Sequence, residues 1–193
     1  MPKPIERYTI RRQFFKFLGA AFHVYDEQGT LAGYCKQKAF KLREDIRLFT
    51  DESQSTPLLT LKARNIIDFS ATYDVLLPSG QPLGSLRRKG MMSTFVRDEW
   101  TIFNTQTQPI ATIREEGGFL TVLRRIIEIA ATLFPQQFTV TTNDGQAIAT
   151  FRQHFNPFIY RLGVAIHQPD EQLDDLMLLG AACLLAAVEG RQN

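Results

Sequence analysis

The densest basic run in the sequence is Arg87-Arg88-Lys89. Lys62 and Arg64 lie two residues apart, so on a β-strand their side chains would point to the same side. Cationic side chains on one surface attract anionic lipid headgroups, at about 1 kcal/mol for each Lys or Arg near the membrane. The spacing therefore predicts an anion-binding surface with these five residues as its candidates. The alternative is that they are solvated strand ends, where Lys and Arg prevent edge-to-edge pairing.

A second basic stretch lies earlier in the chain, around an aromatic residue. It contains Lys36, Lys38, Lys41 and Arg43, with Phe40 between them. Basic residues interleaved with aromatic ones can bind single-stranded nucleic acid, whose bases stack on the rings. The whole chain has 22 Lys and Arg against 20 Asp and Glu, a net charge of +2, and nucleic-acid-binding domains are usually far more basic. We therefore expect no nucleic-acid partner.

The residue types that usually carry catalysis or hold metals do not form a recognisable set. His23, His154 and His167 show none of the spacings of a metal site. The sequence also lacks the nucleophile elbow, the phosphate-binding loop and the dinucleotide-binding fingerprint. Cys35 and Cys183 form no Cys-x-x-Cys pair, and Cys183 lies in an apolar run typical of a core. The sequence therefore predicts no catalytic residues and no cofactor, and it favours a protein that is not an enzyme.

A seven-residue template recurs along the chain and indicates how its elements are arranged. Clear copies occur at 81–87, 108–114 and 146–152, and looser copies occur at 56–62 and 29–35. The clear copies read Gln, Pro or Ala, aliphatic, Gly or Ala, hydroxyl, apolar, Arg. Each copy follows or overlaps a short segment rich in Gly, Asn, Asp, Ser or Pro, the residues that supply hairpin turns. Each repeat therefore predicts one β-hairpin.

Strand-like runs precede the five turns, so the five hairpins give ten strands. Further runs at 7–12 and 158–166 bring the number to about twelve. An open sheet of this size would leave two unpaired edges, whereas closure into a barrel removes them. A segment at 118–134 has apolar residues at helical spacing and ends before Pro135. The predicted fold is therefore mostly β, a closed twelve-stranded antiparallel barrel with one additional helix packed outside it.

The C-terminal segment is apolar on every side. Residues 176–188 contain no polar side chain except one thiol, and the run is shorter than the roughly 20 apolar residues that cross a bilayer. A helix over about 171–189 that is apolar all round must be buried. The small residues Gly84, Ala111 and Ala149 would leave room for it if their face is inward. We therefore expect the barrel to enclose this helix.

With this pattern the chain resembles the Tubby C-terminal-like superfamily, which includes Tubby proteins, phospholipid scramblases and the plant LURP-one-related proteins. The likeness is sharpest at 177–183, Met-Leu-Leu-Gly-Ala-Ala-Cys. It extends to hairpins such as 80–84, where Gly and Pro are followed by an aliphatic residue and a second Gly. The resemblance covers nearly the whole chain. It implies a twelve-stranded barrel around the C-terminal helix. The sequence shows no linker and no low-complexity segment, so we expect one domain over residues 1–193.

The resemblance to scramblases also points to the acidic segment before the final helix, because scramblases bind calcium there. The carboxylates at this place are Asp170, Glu171, Asp174 and Asp175. They do not alternate as the ligands of a calcium loop do, so they are weak calcium candidates and we expect no metal. Acidic residues also favour the positive end of a helix dipole, and Asp170 is a good candidate for the N-cap.

The resemblance and the basic residues together favour a non-enzymatic, cytoplasmic barrel module that binds anionic phospholipid or a protein partner at the membrane surface. The first residues contain no apolar signal segment, which agrees with a cytoplasmic location, and headgroup binding would make the protein peripheral to the membrane. A scramblase-like activity that moves phospholipids is the first alternative. It would require the final helix to leave the barrel or lipid to enter it. A hydrolase without a recognisable motif is the second alternative.

Overall fold

The computed structural model describes residues 5–15, 19–37, 45–65, 71–89, 99–116, 136–154, 156 and 159–189. Within these residues the chain forms twelve β-strands followed by one α-helix, and the strand order agrees with the prediction from the repeats. The elements are β1 (Tyr8–Phe15), β2 (Gly19–Asp26), β3 (Leu31–Gln37), β4 (Ile46–Phe49), β5 (Pro57–Asn65), β6 (Thr72–Leu76), β7 (Pro82–Arg88), β8 (Glu99–Phe103), β9 (Pro109–Glu115), β10 (Gln137–Thr142), β11 (Ala147–His154), β12 (Tyr160–Ile166) and α1 (Asp175–Glu189).

The strands form a closed barrel in which each strand is antiparallel to both of its neighbours. Closure comes from β1, which pairs with β2 on one side and with β12 on the other. Tyr8 of β1 lies opposite Asp26 on the first side and opposite Val164 on the second. Every strand therefore has two partners and the sheet has no free edge. The predicted closed twelve-stranded antiparallel barrel is confirmed.

Five short hairpin turns lie at one end of the barrel and use the residues that the repeats supply. Asp26 and Asn104 begin two of them, and each side chain accepts hydrogen bonds from backbone N–H groups two and four residues later. Gly29, Gly80 and Gly145 have positive φ angles of 79°, 84° and 86°, which glycine adopts without steric cost. The turn chemistry is thus local, which is why the sequence predicts these hairpins.

Alternate strand residues point inward and form the core, as the period of a strand requires. Leu86, Ile113 and Phe151 occupy the same template position on three strands and are at most 1% exposed. A small residue stands two positions earlier on each of these strands, and all three small residues are buried. They are Gly84, Ala111 and Ala149.

Helix α1 begins at Asp175, later than the predicted start at about 171. Before it, Asp170 and Leu173 form an isolated β-bridge, and the Asp170 carboxylate accepts a hydrogen bond at 2.8 Å from the backbone N–H two residues later. Asp174 is the N-cap, because its carboxylate accepts a hydrogen bond at 2.7 Å from the N–H two residues into the helix. The prediction of Asp170 as the N-cap is wrong, since its side chain closes the preceding turn instead.

Helix α1 is buried along most of its length and packs against the barrel wall. Its apolar residues between Met177 and Ala187 are at most 2% exposed. It contacts β1, β5, β7 and β12. Near its C-terminus, Arg12 Nη1 donates a hydrogen bond to the Ala186 carbonyl oxygen at 3.1 Å. This bond satisfies one of the carbonyl groups that a helix end leaves without an intrahelical partner.

The additional helix predicted at 118–134 lies outside the described residues, which stop at Glu116 and resume at Gln136. The structure therefore gives no account of it. In the described part of the chain, no helix has the length and apolar character needed to cross a membrane.

Candidate functional site

Four of the five predicted cationic residues lie on the outer side of the barrel because of the alternation within the repeats. The sixth residue of a template copy is buried, so the seventh points away from the core. Lys62 follows the buried Leu61 on β5, and Arg87 follows the buried Leu86 on β7. Arg114 occupies the same template position on β9, and all three cationic side chains are exposed. The repeats therefore place cations at matching positions on three strands.

Arg64 lies two residues beyond Lys62 on β5 and forms an ion pair with Asp74 on β6. Its Nε and Nη2 atoms lie 2.7 and 2.6 Å from the two carboxylate oxygens of Asp74, a two-point geometry that suits the guanidinium group. The hydrogen bond to Asp74 raises the pKa of Arg64 above its ordinary value. Lys62 lies opposite the same aspartate in register. Arg64 therefore forms an ion pair with a carboxylate, whereas Lys62 forms none with a carboxylate of the described residues.

Glu99 on β8 contacts two cations, one from each neighbouring strand. Lys89 Nζ lies 3.3 Å from one carboxylate oxygen, and Arg114 Nε lies 3.0 Å from the other. The Lys89 N–H also donates a hydrogen bond to the Glu99 carbonyl oxygen at 2.9 Å. Both cationic side chains are more than half exposed, and such surface ion pairs contribute about 0–1 kcal/mol. One carboxylate shared by two cations leaves a net positive charge.

Arg87 packs on an aromatic ring and has no carboxylate partner among the described residues. Its guanidinium carbon lies 4.7 Å from the ring centre of Phe103 on β8. A cation over a ring face is attracted by the ring quadrupole, by about 0.5–1 kcal/mol at exposed sites. This contact restricts the side chain while its N–H groups stay available for an anion.

Arg88 is separated from the other candidates by the alternation of β7. It lies on the inner side with Leu86, and its guanidinium carbon is 5.9 Å from the ring centre of the buried Trp100. The Arg88 side chain is half-buried. The basic run is thus divided between the two sides of the sheet, and Arg88 does not join Arg87 and Lys89.

The remaining cations and their carboxylates form one outer surface over β5 to β9, which we refer to as the basic face. Among the described residues it contains five cations and three carboxylates, the third being Glu116, whose carboxylate contacts Thr139 opposite Arg114; two positive charges are left in excess. Neighbouring strands are about 4.8 Å apart, so the face is about 20 Å wide. A surface with one sign of charge in excess raises the local concentration of oppositely charged ligands. The basic face consists of Lys62, Arg64, Asp74, Arg87, Lys89, Glu99, Arg114 and Glu116.

Sequence reasoning missed Arg114 and the carboxylates of the basic face. Arg114 was detectable, because it ends a template copy in the same way as Arg87 does. Asp74 and Glu99 were not, because ion pairing across strands depends on register. The register between β5 and β6 shifts at a local irregularity. No sequence pattern predicts this shift.

The four acidic residues considered for calcium make other contacts around the start of α1. Asp170 closes a turn and Asp174 caps the helix. Asp175 Oδ2 lies 2.8 Å from Arg7 Nη2, and Glu171 is exposed. Across the described ranges, no group of three or more metal-ligating side chains occurs.

The histidines and the second basic stretch add nothing to the basic face. His23 Nε2 lies 2.9 Å from Glu52 Oε1, His154 contacts Glu6, and His167 Nε2 lies 2.8 Å from a threonine hydroxyl oxygen. Each histidine thus has a partner of its own. The side chains of the second basic stretch lie outside what the structure describes. They are Lys36, Lys38, Phe40, Lys41 and Arg43.

A closed barrel of twelve antiparallel strands with a C-terminal helix, and with charged residues gathered on its outer wall, suggests a non-enzymatic module that binds lipid or protein. A family model described as LURP-one-related matches residues 31–178, from the start of β3 into α1. The chain therefore belongs to the LURP-one-related family, which is part of the Tubby C-terminal-like superfamily. A comparison with curated proteins found no match.

Proposed function

We propose that the protein is a barrel module whose basic face binds the headgroups of anionic phospholipids at a membrane surface. The proposal is carried by the excess positive charge of this face, five cations against three carboxylates among the described residues. Membership of the LURP-one-related family supports a binding role of this kind. Each cation near an anionic leaflet is worth about 1 kcal/mol. Two charges in excess therefore support weak, reversible binding that declines as salt is added.

Lys62 and Arg87 are the residues that we expect to contact the headgroups. Both are exposed, and neither forms an ion pair with a carboxylate of the described residues. The other three cations of the face are already held by Asp74 or Glu99. Arg87 is also restrained by Phe103, so it loses less side-chain entropy when it binds an anion.

We also infer that α1 occupies the interior of the barrel. This inference is supported by the burial of the helix and by its contacts with β1 and β12 on one side of the ring and with β5 and β7 on the other. A lumen filled by a helix has little space for a substrate, so binding takes place on the outer wall. The arrangement disfavours the scramblase-like and hydrolase alternatives, because both need an internal path or pocket.

Flotation with liposomes tests the proposal. Vesicles of phosphatidylcholine alone are compared with vesicles that also contain phosphatidylserine, at low and high salt, with and without calcium. We expect the protein to float only with the anionic vesicles and to lose this association at high salt. Calcium should have no effect, because the acidic residues before and at the start of α1 already have partners. Asp170 closes a turn, Asp174 caps the helix and Asp175 pairs with Arg7.

Two charge reversals locate the binding surface. Arg87→Glu should weaken binding to anionic vesicles by about 2 kcal/mol, more than tenfold, because a positive charge is replaced by a negative one. Arg11→Glu is the matched control, since Arg11 lies on β1 across the ring from β7 and stacks 4.6 Å from the ring centre of Tyr25. It should bind almost as well as wild type.

Two outcomes contradict the proposal. Equal loss of binding in Arg87→Glu and Arg11→Glu would mean that total charge, and not the basic face, governs the association. Failure of the wild-type protein to float with any vesicle would exclude the lipid ligand, and an acidic protein surface would then be the partner to seek for the same face.

A further inference from the structure

A carboxylate from the segment before β1 occupies a recess on the barrel wall, away from the basic face. Glu6 lies over Gly163 of β12, and a Cβ added at this glycine would clash with the Glu6 carboxylate. Gly163 lies opposite Thr9 of β1 and Arg152 of β11. The absence of a side chain at this one position therefore creates the floor on which the carboxylate rests.

Side chains from three strands surround the Glu6 carboxylate. His154 Nε2, from β11, contacts one carboxylate oxygen. Thr9 Oγ1, from β1, lies 3.4 Å from the other oxygen, and Arg161 Nη2, from β12, lies 4.0 Å from that same oxygen. A hydroxyl, an imidazole and a guanidinium group are the donors that proteins commonly direct at an anionic oxygen.

The recess extends beyond the carboxylate that partly fills it. Its volume is about 150 Å³, and its lining also includes Gln137, Thr150, Arg152 and Ala165. Liquid water takes about 30 Å³ per molecule, so a group of several heavy atoms fits. Arg152 is exposed and brings a second guanidinium group to the same wall. The recess thus offers more positive charge than one carboxylate balances.

Polar contacts hold the segment around Glu6 in place. Arg7 pairs with Asp175 at 2.8 Å, and its side chain is half exposed. Ile5 is 78% exposed, so the segment gains little from apolar burial. Exposed ion pairs contribute little to stability. An external anion that makes the same contacts to His154, Thr9 and Arg161 could therefore replace the Glu6 carboxylate.

We propose that this recess is a binding site for a small oxyanion, a carboxylate or a phosphate group, and that Glu6 is its built-in competitor. Guanidinium groups bind both kinds of anion through paired N–H donors. A ligand that enters displaces Glu6 from Gly163 and frees the segment before β1. The site lies over β10 to β12, so it does not depend on the basic face of β5 to β9.

Calorimetric titration of the full chain with inorganic phosphate, and separately with acetate, tests the site. Glu6→Gln removes the competing charge and keeps the size of the side chain, so it should bind at least one of the two anions tenfold more tightly than wild type. Glu171→Gln removes an exposed carboxylate elsewhere and is the control for net charge; it should bind as wild type does.

The double variant Glu6→Gln/Gly163→Ala separates the recess from a general effect of charge. The added Cβ fills the floor of the recess, so the gain in affinity should disappear. Gly163 has no positive φ angle, and thermal unfolding of the variant checks that the barrel is intact. Equal affinity of wild type and Glu6→Gln for both anions would overturn the proposal. A gain in affinity that survives Gly163→Ala would also overturn it.

Vesicles that contain phosphatidic acid distinguish a lipid phosphate from a soluble one. Stronger flotation of Glu6→Gln than of the double variant would assign the phosphate to a lipid headgroup. Equal flotation of the two variants, together with the gain in affinity for free phosphate, would assign it to a soluble ligand. The basic face is unchanged in both variants, so failure of the lipid proposal for that face leaves this comparison valid.

Discussion

At the scale of single residues, two glycines allow α1 and the barrel wall to approach each other. A Cβ at Gly180 of the helix would lie 2.8 Å from Leu59 Cδ2 on β5. A Cβ at Gly84 on β7 would clash with a neighbouring carbonyl oxygen and lie 3.1 Å from Met177 Cε on the helix. The fit is reciprocal, because the wall lacks a side chain opposite Met177 and the helix lacks one opposite Leu59.

Gly180→Leu tests this packing. Four added carbon atoms have no space beside Leu59, so the substitution should lower the free energy of unfolding by about 1–3 kcal/mol or more. Urea or thermal unfolding measures the change. Gly33→Ala on β3 is the control, because a Cβ there meets its nearest atoms at 3.4 Å, and its effect should be smaller. An unchanged melting temperature for Gly180→Leu would contradict the contact between α1 and β5.

At the scale of elements, the start of α1 is fixed by a side chain four residues from the one that the sequence favoured. Both Asp170 and Asp174 can accept backbone hydrogen bonds, and both do so at 2.7–2.8 Å. Only Asp174 caps the helix, since the β-bridge between Asp170 and Leu173 holds the preceding residues in a turn.

Asp174→Ala should lower the free energy of unfolding, because it removes the N-cap of α1. Loss of the cap leaves a helical N–H without its acceptor and should cost about 1 kcal/mol. Asp174→Asn should retain most of the stability, because asparagine is an equally good cap. Glu171→Ala, at an exposed position of the same segment, should change the free energy of unfolding by less than about 0.5 kcal/mol. Chemical denaturation of the three variants measures these differences, and equal stability of Asp174→Ala and wild type would remove the capping role.

The strands were predictable because their signals are local. Gly29, Gly80 and Gly145 mark turns, and the alternation within each template marks the buried side of a strand. The cations of the basic face follow from the same alternation. Their partners Asp74 and Glu99 depend on how neighbouring strands are aligned, and the recess at Gly163 depends on Glu6 reaching across from the segment before β1. Such contacts between distant residues produce no periodic pattern in the sequence.

At the scale of the whole molecule, the interior protects both cysteines from reaction. Cys35 on β3 is 1% exposed and Cys183 on α1 is 2% exposed. Burial raises the pKa of the Cys35 thiol to about 12 and raises the pKa of the Cys183 thiol above its ordinary value. The thiolate is the reactive form of cysteine, so both thiols should be inert in the folded protein at neutral pH.

Labelling with a thiol reagent near pH 8 should therefore modify neither cysteine in the native protein and both after unfolding in urea. Unfolded thiols ionise at about pH 8.5. The stability that the protonated, buried thiols contribute is thus complete below about pH 8.5 and is lost as the pH rises toward the Cys35 pKa of about 12. Rapid labelling of either cysteine under native conditions would show that solvent reaches the interior.

The pairing of β1 with β12 also affects how this protein folds during its synthesis. On the ribosome, β1 is synthesised long before β12. Tyr8 cannot pair with Val164 until β12 has been synthesised. Until then the growing sheet has two open edges, which are templates for association with other chains. Contacts between such distant residues also slow folding. A nascent chain interrupted anywhere before β12 cannot close its ring, even if every hairpin before that point has formed.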